Sequence, residues 1–159
     1  MLNGKKVNLI VARSLNNVIG HEDGSIPFAG LSRSDMRRFK SLTSTPGYNS
    51  VIMGRKTWSS LPEKYRPLPN RWNVVMSQDS KFWIEHSKCN VAHSFEEAVQ
   101  YSPSKIVWVI GGAEIYKLSL PYLDEAHVST IEGFFVGNIE FPLEFDATEW
   151  RVGFVEKQF

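Results

Sequence analysis

The run Ile106-Val-Trp-Val-Ile110 constrains this chain most, because every position is apolar and none alternates with a polar residue. A strand of that kind must be covered on both faces, as strands are in a parallel sheet packed between helices. Gly111-Gly112 follows at once, and Ala113-Glu-Ile-Tyr-Lys-Leu-Ser-Leu120 then reads as a short helix stopped by Pro121. A strand, two glycines and a helix start bring backbone N–H groups and a positive dipole end to a spot free of side chains. Such a spot can hold a phosphate. An ordinary tight strand-to-helix turn has the same pattern, and this segment alone does not separate the two readings.

The design recurs in Ser50-Val-Ile-Met-Gly-Arg-Lys-Thr-Trp-Ser-Ser-Leu-Pro62: an apolar strand, Gly54, then a short helix ended by proline. Here the turn carries Arg55, Lys56 and Thr57, so a phosphate would meet a hydroxyl and two cations as well as backbone N–H groups. Two such corners in one parallel sheet suggest a dinucleotide lying across strand ends. The extra positive charge favours a third phosphate, NADP over NAD; solvated surface charge is the plainer alternative.

Further strands are expected at Val7–Ala12, Trp72–Met76, Asn90–Ala92 and Ala126–Ile131, with Trp150–Phe159 as a partly alternating last strand. The capping box Ser94-Phe-Glu-Glu97 opens a helix running to Tyr101. Strands and helices take turns, which predicts right-handed crossovers and an α/β fold: three layers, α/β/α, around a central, mostly parallel sheet. At 159 residues, one domain spanning 1–159 is expected. A net charge of +1 with scattered basic residues gives no support for a nucleic-acid surface. No apolar run is long enough to span a bilayer, and the N-terminus runs straight into a strand rather than a signal sequence. Cys89 is the lone cysteine, which excludes an intrachain disulfide and suits a reducing cytoplasm.

Arg13–Pro27 holds Asn16-Asn17, Gly20 and Asp23-Gly24, too many turn-formers for a regular element. A loop this long in a small domain is commonly a functional lid, the alternative being a tolerated surface excursion. Gly133–Pro142 reads as a second loop. Ser32–Leu42 reads as a helix capped by Ser32, with Met36, Phe39 and Leu42 as its apolar stripe. Asp35 shares that stripe. It can cap the helix or complement its dipole, and the helix alone favours that reading. A carboxylate on an apolar face is nevertheless costly unless a hydrogen-bonding or cationic partner meets it, so a bound ligand is the second reading. His86, Cys89 and His93 have metal-like spacing, but three donors without a CxxC pair do not make a zinc site, and no metal is expected.

Four separated segments now coincide with one family. Asn17-Val-Ile-Gly20 with Ile26-Pro27 is the first, and Asp35-x-x-x-Phe39-Lys40 the second. Val51–Trp58 with Arg66-Pro-Leu-Pro-x-Arg71 is the third, and Val109–Tyr116 the fourth. In order and spacing the chain resembles dihydrofolate reductase from the first strand to about Phe154. The resemblance implies NADPH-dependent reduction of 7,8-dihydrofolate to tetrahydrofolate, with hydride delivered to C6 and a proton to N5. It implies that Asp35 is the carboxylate facing the pterin and promotes protonation indirectly. Ile10, Val11, Phe28, Met36, Phe39, Leu61, Leu68, Ile110, Tyr116 and Ser129 would line the folate site, and Arg71 would pair with the α-carboxylate of the glutamyl tail. Arg55, Lys56 and Thr57 would take cofactor phosphates, with Met76, Ser77, Gln78 and His93 at the adenosine end. Gly111-Gly112, joined by a cis peptide in the family, would cradle the pyrophosphate together with Gly54, Ala113, Glu114 and Ile115. Tyr116 would lie near the nicotinamide, with Ala12, Ile19, Gly20 and Ile110 also at the cofactor. The loop from Asn16 to Phe28 would be the mobile lid. A cytoplasmic monomer that binds antifolates follows from the same resemblance. A pyrimidine reductase of riboflavin synthesis and a catalytically silent nucleotide- or folate-binding protein are the competing readings.

The chain departs from the family pattern in four places. Phe28 stands where tryptophan is usual, which removes an indole donor beside the pterin. Pro27–Asp35 is slightly longer, with Ala29-Gly30 placed to bulge where a diaminopyrimidine antifolate would pack; together these predict antifolate insensitivity. Asn138 replaces a usual aspartate, which would weaken lid anchoring. The chain also stops about one strand early, which would leave Ala126–Ile131 with an open edge unless Trp150–Phe159 or another chain fills it.

Overall fold

A computed structural model describes residues 1–20, 33–44, 49–137 and 139–153, the side chains of residues 33–35 excepted. Phe28, Ile26-Pro27, Ala29-Gly30, the Ser32 cap, Asn138 and residues 154–159 lie outside the described residues.

The apolar runs are the strands. In chain order they are β1 (Lys6–Ser14), β2 (Val18–Gly20), β3 (Asn49–Gly54), β4 (Trp72–Met76), β5 (Cys89–Ala92), β6 (Ile106–Gly111), β7 (Glu125–Ile131) and β8 (Ile139–Glu140). The helices are α1 (Arg33–Thr43), α2 (Arg55–Ser60), α3 (Phe95–Tyr101) and α4 (Ala113–Ser119). Six strands form one sheet in the order β5-β4-β3-β6-β1-β7, every neighbouring pair parallel. β6 therefore sits at the centre, as its unbroken apolar sequence requires.

Successive β6 side chains enter opposite layers. Val107 and Val109 join the core beneath α3 and α4, with Val7, Leu9, Val11, Ile52 and Val74. Trp108, Ile106 and Ile110 join the core on the other face, with Ile10, Val51, Met53 and Val75, against Phe39 and Leu42 of α1 and Trp58 of α2. Val7, Leu9, Val51, Ile52, Val107 and Val109 are completely buried. Burying each such side chain contributes about 1.5–3 kcal/mol. The fold is the expected three-layer α/β/α arrangement around a parallel sheet.

The local signals hold where they are self-contained. Ser94 caps α3, its hydroxyl accepting from the Glu97 N–H at 3.1 Å. α4 ends at Ser119, and Leu120–Tyr122 tightens into a 3-10 turn around Pro121.

Three expectations are corrected. The loops at Arg13–Pro27 and Gly133–Pro142 contain the short strands β2 and β8, which pair antiparallel. Asn17 turns the chain at φ 65°. Its side-chain amide donates to the Phe141 carbonyl at 3.0 Å, and the Phe141 N–H returns a bond to the Asn17 carbonyl at 3.0 Å. Met36 is 59% exposed and does not belong to the buried stripe. It lies in the first turn of α1, whereas the helix meets the sheet through Phe39 and Leu42 further along. Of the expected last strand Trp150–Phe159, residues 150–153 form no strand, and residues 154–159 lie outside the described residues. Asp146 instead gathers the Thr148, Glu149 and Trp150 N–H groups into a turn, and the Trp150 ring folds back onto Phe145 with centroids 4.8 Å apart. Among the described residues, β7 is paired on one side only, with β1.

Candidate active site

Because the six strands are parallel, their C-terminal ends form one rim. Register aligns Gly54 with Met76, Met76 with Ala92, Met53 with Gly111, and Ala12 with Ser129. Most residues expected at the cofactor and at the reacting ring therefore come from adjacent strand ends, where ligands of open α/β sheets bind.

The glycine corners are built for backbone exposure. Gly111 has φ 120°, and a Cβ there would stand 3.3 Å from the Tyr116 hydroxyl. Gly111–Gly112 is a cis peptide, as the resemblance implies. Gly112 caps α4 without a side chain, and its Cβ direction faces the Thr57 hydroxyl at 3.8 Å. Gly54 caps α2 in the same bare manner; a Cβ there would lie 3.1 Å from Ile115 Cγ1. The two corners thus lie side by side, with Thr57 between them. Arg55 and Lys56 stand exposed on α2, with Ala113 half-buried and Glu114 exposed on α4. A bare N–H surface, a hydroxyl and two cations are the donor set that dinucleotide phosphates need.

Tyr116 is buried, and its hydroxyl donates to the Ile10 carbonyl at 2.9 Å. This ties the α4 corner to the middle strand of the expected substrate wall. Ile10, Leu68 and the half-buried Phe39, Leu61 and Ile110 share one cluster. Val11 projects into the opposite layer, where Tyr116 and Met76 also pack. Ala12 and Ser129 are half-buried neighbours on β1 and β7, Ile19 packs on the α3–α4 side, and Gly20 is buried at the end of β2.

At the other end of the wall, Arg71 is 5% exposed. Its Nε donates to the Pro69 carbonyl at 2.8 Å, and Nη1 donates to the Thr43 hydroxyl at 2.9 Å. That hydroxyl itself donates to the Phe39 carbonyl at 2.8 Å, so the guanidinium is moored to α1. Its Cζ lies 5.8 Å from the Phe39 ring centre. Burial lowers the Arg71 pKa from its ordinary value. Among the described residues no carboxylate is within ion-pair distance of it. Asn73, fully buried in β4, fixes the approach: its amide binds the Leu68 N–H and carbonyl and the Arg71 carbonyl at 2.9–3.1 Å. Sequence reasoning missed both Thr43 and Asn73. A lone amide in the otherwise apolar interior of β4 was the available signal for the second.

Asp35 lies in the first turn of α1, on the helix that carries Phe39 and Thr43. Its side chain is outside the described residues, as is all of Phe28. At the far end of the rim, Ser77 is buried, and its carbonyl meets His93 Nδ1 at 2.7 Å; Gln78 and His93 are exposed. A separate cavity of about 700 Å³ opens beside β8, lined by Arg13, Asn17, Thr130 and Phe141. It contains none of the residues assigned above and lacks their donor set. Among the described residues, no helix is long and apolar enough to cross a membrane.

Comparison with known proteins gives concordant results. A sequence model described as "Dihydrofolate reductase" matches residues 6–158. The dihydrofolate reductase of Mycobacterium tuberculosis is 40% identical over 126 residues, covering 79% of this chain and 71% of the relative. That of Bacillus subtilis is 36% identical over 149 residues, covering 92% and 80%. A solved structure, the Enterococcus faecalis enzyme complexed with NADP(H) and RAB-propyl, superposes with a TM-score of 0.75. It is 28% identical and covers 92% of this chain and 82% of that one.

Proposed function

The chain belongs to the dihydrofolate reductase family, and from that premise we infer how its own residues carry out NADPH-dependent reduction of 7,8-dihydrofolate to tetrahydrofolate. The pyrimidine-reductase reading is not favoured. The observation that carries the inference is a continuous arrangement: Arg71 moored to α1, then Phe39, Leu61 and Ile110, then Gly111-Gly112 and Thr57.

When bound, NADPH supplies the hydride that C6 of the pterin accepts. The protein supplies alignment and dryness. Asp35 accepts from the pterin ring N–H and 2-amino group, a planar two-point match. Its charge favours protonation at N5 without touching that atom. Ile10, Phe39, Leu61 and Leu68 wall the ring, with Met36, Ile110 and Ser129 completing the folate site, while Val11 and Tyr116, whose side chains pack in the opposite layer, back it from behind. Arg71, a buried cation with neutral partners among the described residues, takes the α-carboxylate of the glutamyl tail.

On the cofactor side, Gly54, Gly111, Gly112 and Thr57 hold the pyrophosphate, with Ala113, Glu114 and Ile115 at the helix start. Arg55, Lys56, Met76, Ser77, Gln78 and His93 take the adenosine end; Ala12, Ile19 and Gly20 lie toward the nicotinamide. The domain acts as a cytoplasmic monomer, which sedimentation at micromolar concentration checks. Phe28 and the Pro27–Asp35 segment make it insensitive to diaminopyrimidine antifolates; nanomolar inhibition by trimethoprim would contradict this. The direct test of the site is Asp35→Asn, which lowers kcat/KM near neutral pH about a hundredfold or more while leaving NADPH binding intact.

A further inference from the structure

Arg55 has a carboxylate beside it that the phosphate-binding role does not call for. The Arg55 Nη1 lies 3.3 Å from Asp79 Oδ2. The guanidinium is already held without that contact, because its Cζ stacks 4.2 Å from the centre of the Phe82 ring. Phe82 is in turn packed against the α1-side core. Asp79 is likewise fixed without Arg55: its N–H donates to Ser77 Oγ at 3.1 Å, and its Oδ1 accepts the Lys81 N–H at 2.9 Å. The Phe82 N–H closes the turn onto the Asp79 carbonyl at 3.1 Å. Arg55 and Asp79 are about half exposed, 49% and 50%, and a pair so wet adds little to stability. What the turn does accomplish is to set a fixed negative charge next to the cation.

The position of this pair identifies which phosphate it affects. The pyrophosphate corner lies on the β6 side of α2, where Gly112 faces Thr57. Arg55 points the other way, to the segment leaving β4, the strand aligned with β3 through Gly54 and Met76. On a dinucleotide lying across the rim, that is the adenosine end. There NADPH carries a phosphate on the ribose and NADH a hydroxyl.

Resting on the NADPH reading above, we propose that Asp79 is a specificity-determining residue that weakens the preference for NADPH over NADH by offsetting the charge of Arg55. A carboxylate beside a cationic phosphate site repels the ribose phosphate and carries no such penalty against a neutral hydroxyl. Removing its charge therefore selectively favours the phosphorylated cofactor.

The test is equilibrium titration of intrinsic fluorescence with NADPH and with NADH for the wild type, Asp79→Asn and Arg55→Ala. Asparagine retains the acceptor for the Lys81 N–H and lacks the charge. The expected result for Asp79→Asn is an NADPH Kd lowered about three- to tenfold, an NADH Kd unchanged, and a gain that shrinks in high salt. Unchanged NADH binding also shows that the variant is folded. An unchanged or reduced preference for NADPH overturns the proposal. If Arg55→Ala then weakens NADPH alone, the siting of the ribose phosphate survives without Asp79. If Arg55→Ala leaves NADPH binding unaltered, that siting falls as well.

Discussion

Thr43 shows how much of this site depends on a single hydroxyl. It joins α1 to Arg71, accepting from the guanidinium while donating to the Phe39 carbonyl. Thr43→Val keeps the shape and deletes the acceptor, leaving a buried cationic donor unpaired at about 1–3 kcal/mol. The expected outcome is a lower urea midpoint and a raised KM for dihydrofolate, with Thr43→Ser restoring both. Arg71 was readable from its motif, but Thr43 was not, because nothing in the order of residues places a helix end beside a loop 28 positions away. Asp124 offers a test by pH. Burial alone would raise its carboxyl, but hydrogen bonds from the Met1 ammonium and the Val7 N–H, with the charge of Lys6, outweigh this and hold it below the ordinary 3.8. A depressed carboxylate stabilises fully above its unfolded value, and that contribution is lost as pH falls through the lower folded one. Asp124→Asn should therefore lower the urea midpoint clearly at pH 7, with the gap to wild type closing below 3.8.

The six strands of the parallel sheet were legible because each carries its own pattern. β3, β4 and β6 are buried on both faces and read as continuous apolar runs, with glycine or a polar pair marking the rim. α3 was legible through its cap, and Ser94→Ala should cost about 1 kcal/mol, seen as a lower thermal midpoint with NADPH affinity unchanged. β2 and β8 were not legible. Neither has more than three residues, and each exists because the other arrives from more than a hundred positions away. Met36 failed for a related reason, since helical periodicity marks a face but not where along the helix the sheet begins. The two glycine corners give a sharper test of packing between helix and sheet. Gly54→Ala would force a methyl against Ile115 Cγ1 at 3.1 Å, at a cost of about 1–3 kcal/mol, and would crowd the phosphate corner. Reduced stability together with weaker NADPH binding is the expected pair of readouts.

Taken together, the parallel sheet converts separate sequence motifs into one surface. Its order, β5-β4-β3-β6-β1-β7, brings residues 12, 54, 76, 111 and 129 to a common rim although they are scattered through the chain. α1 carries Asp35, Phe39 and Thr43, with Phe39 packed on the core face that Ile10 and Ile110 share, while α2 and α4 start at the bare glycines Gly54 and Gly112. Periodicity gave the layers and the rim, but the pairing of Asp79 with Arg55 spans 24 positions and depends on a contact that no local pattern encodes. The proposed function requires one carboxylate on α1 to enable proton delivery to a pterin held beside a nicotinamide. The most direct measurement follows NADPH oxidation with dihydrofolate, for the wild type and Asp35→Asn, across neutral pH and at saturating cofactor. Consumption of NADPH by the wild type, and a loss of about a hundredfold or more in Asp35→Asn at undiminished NADPH affinity, is the predicted result. An Asp35→Asn enzyme that turns over like the wild type would contradict the account.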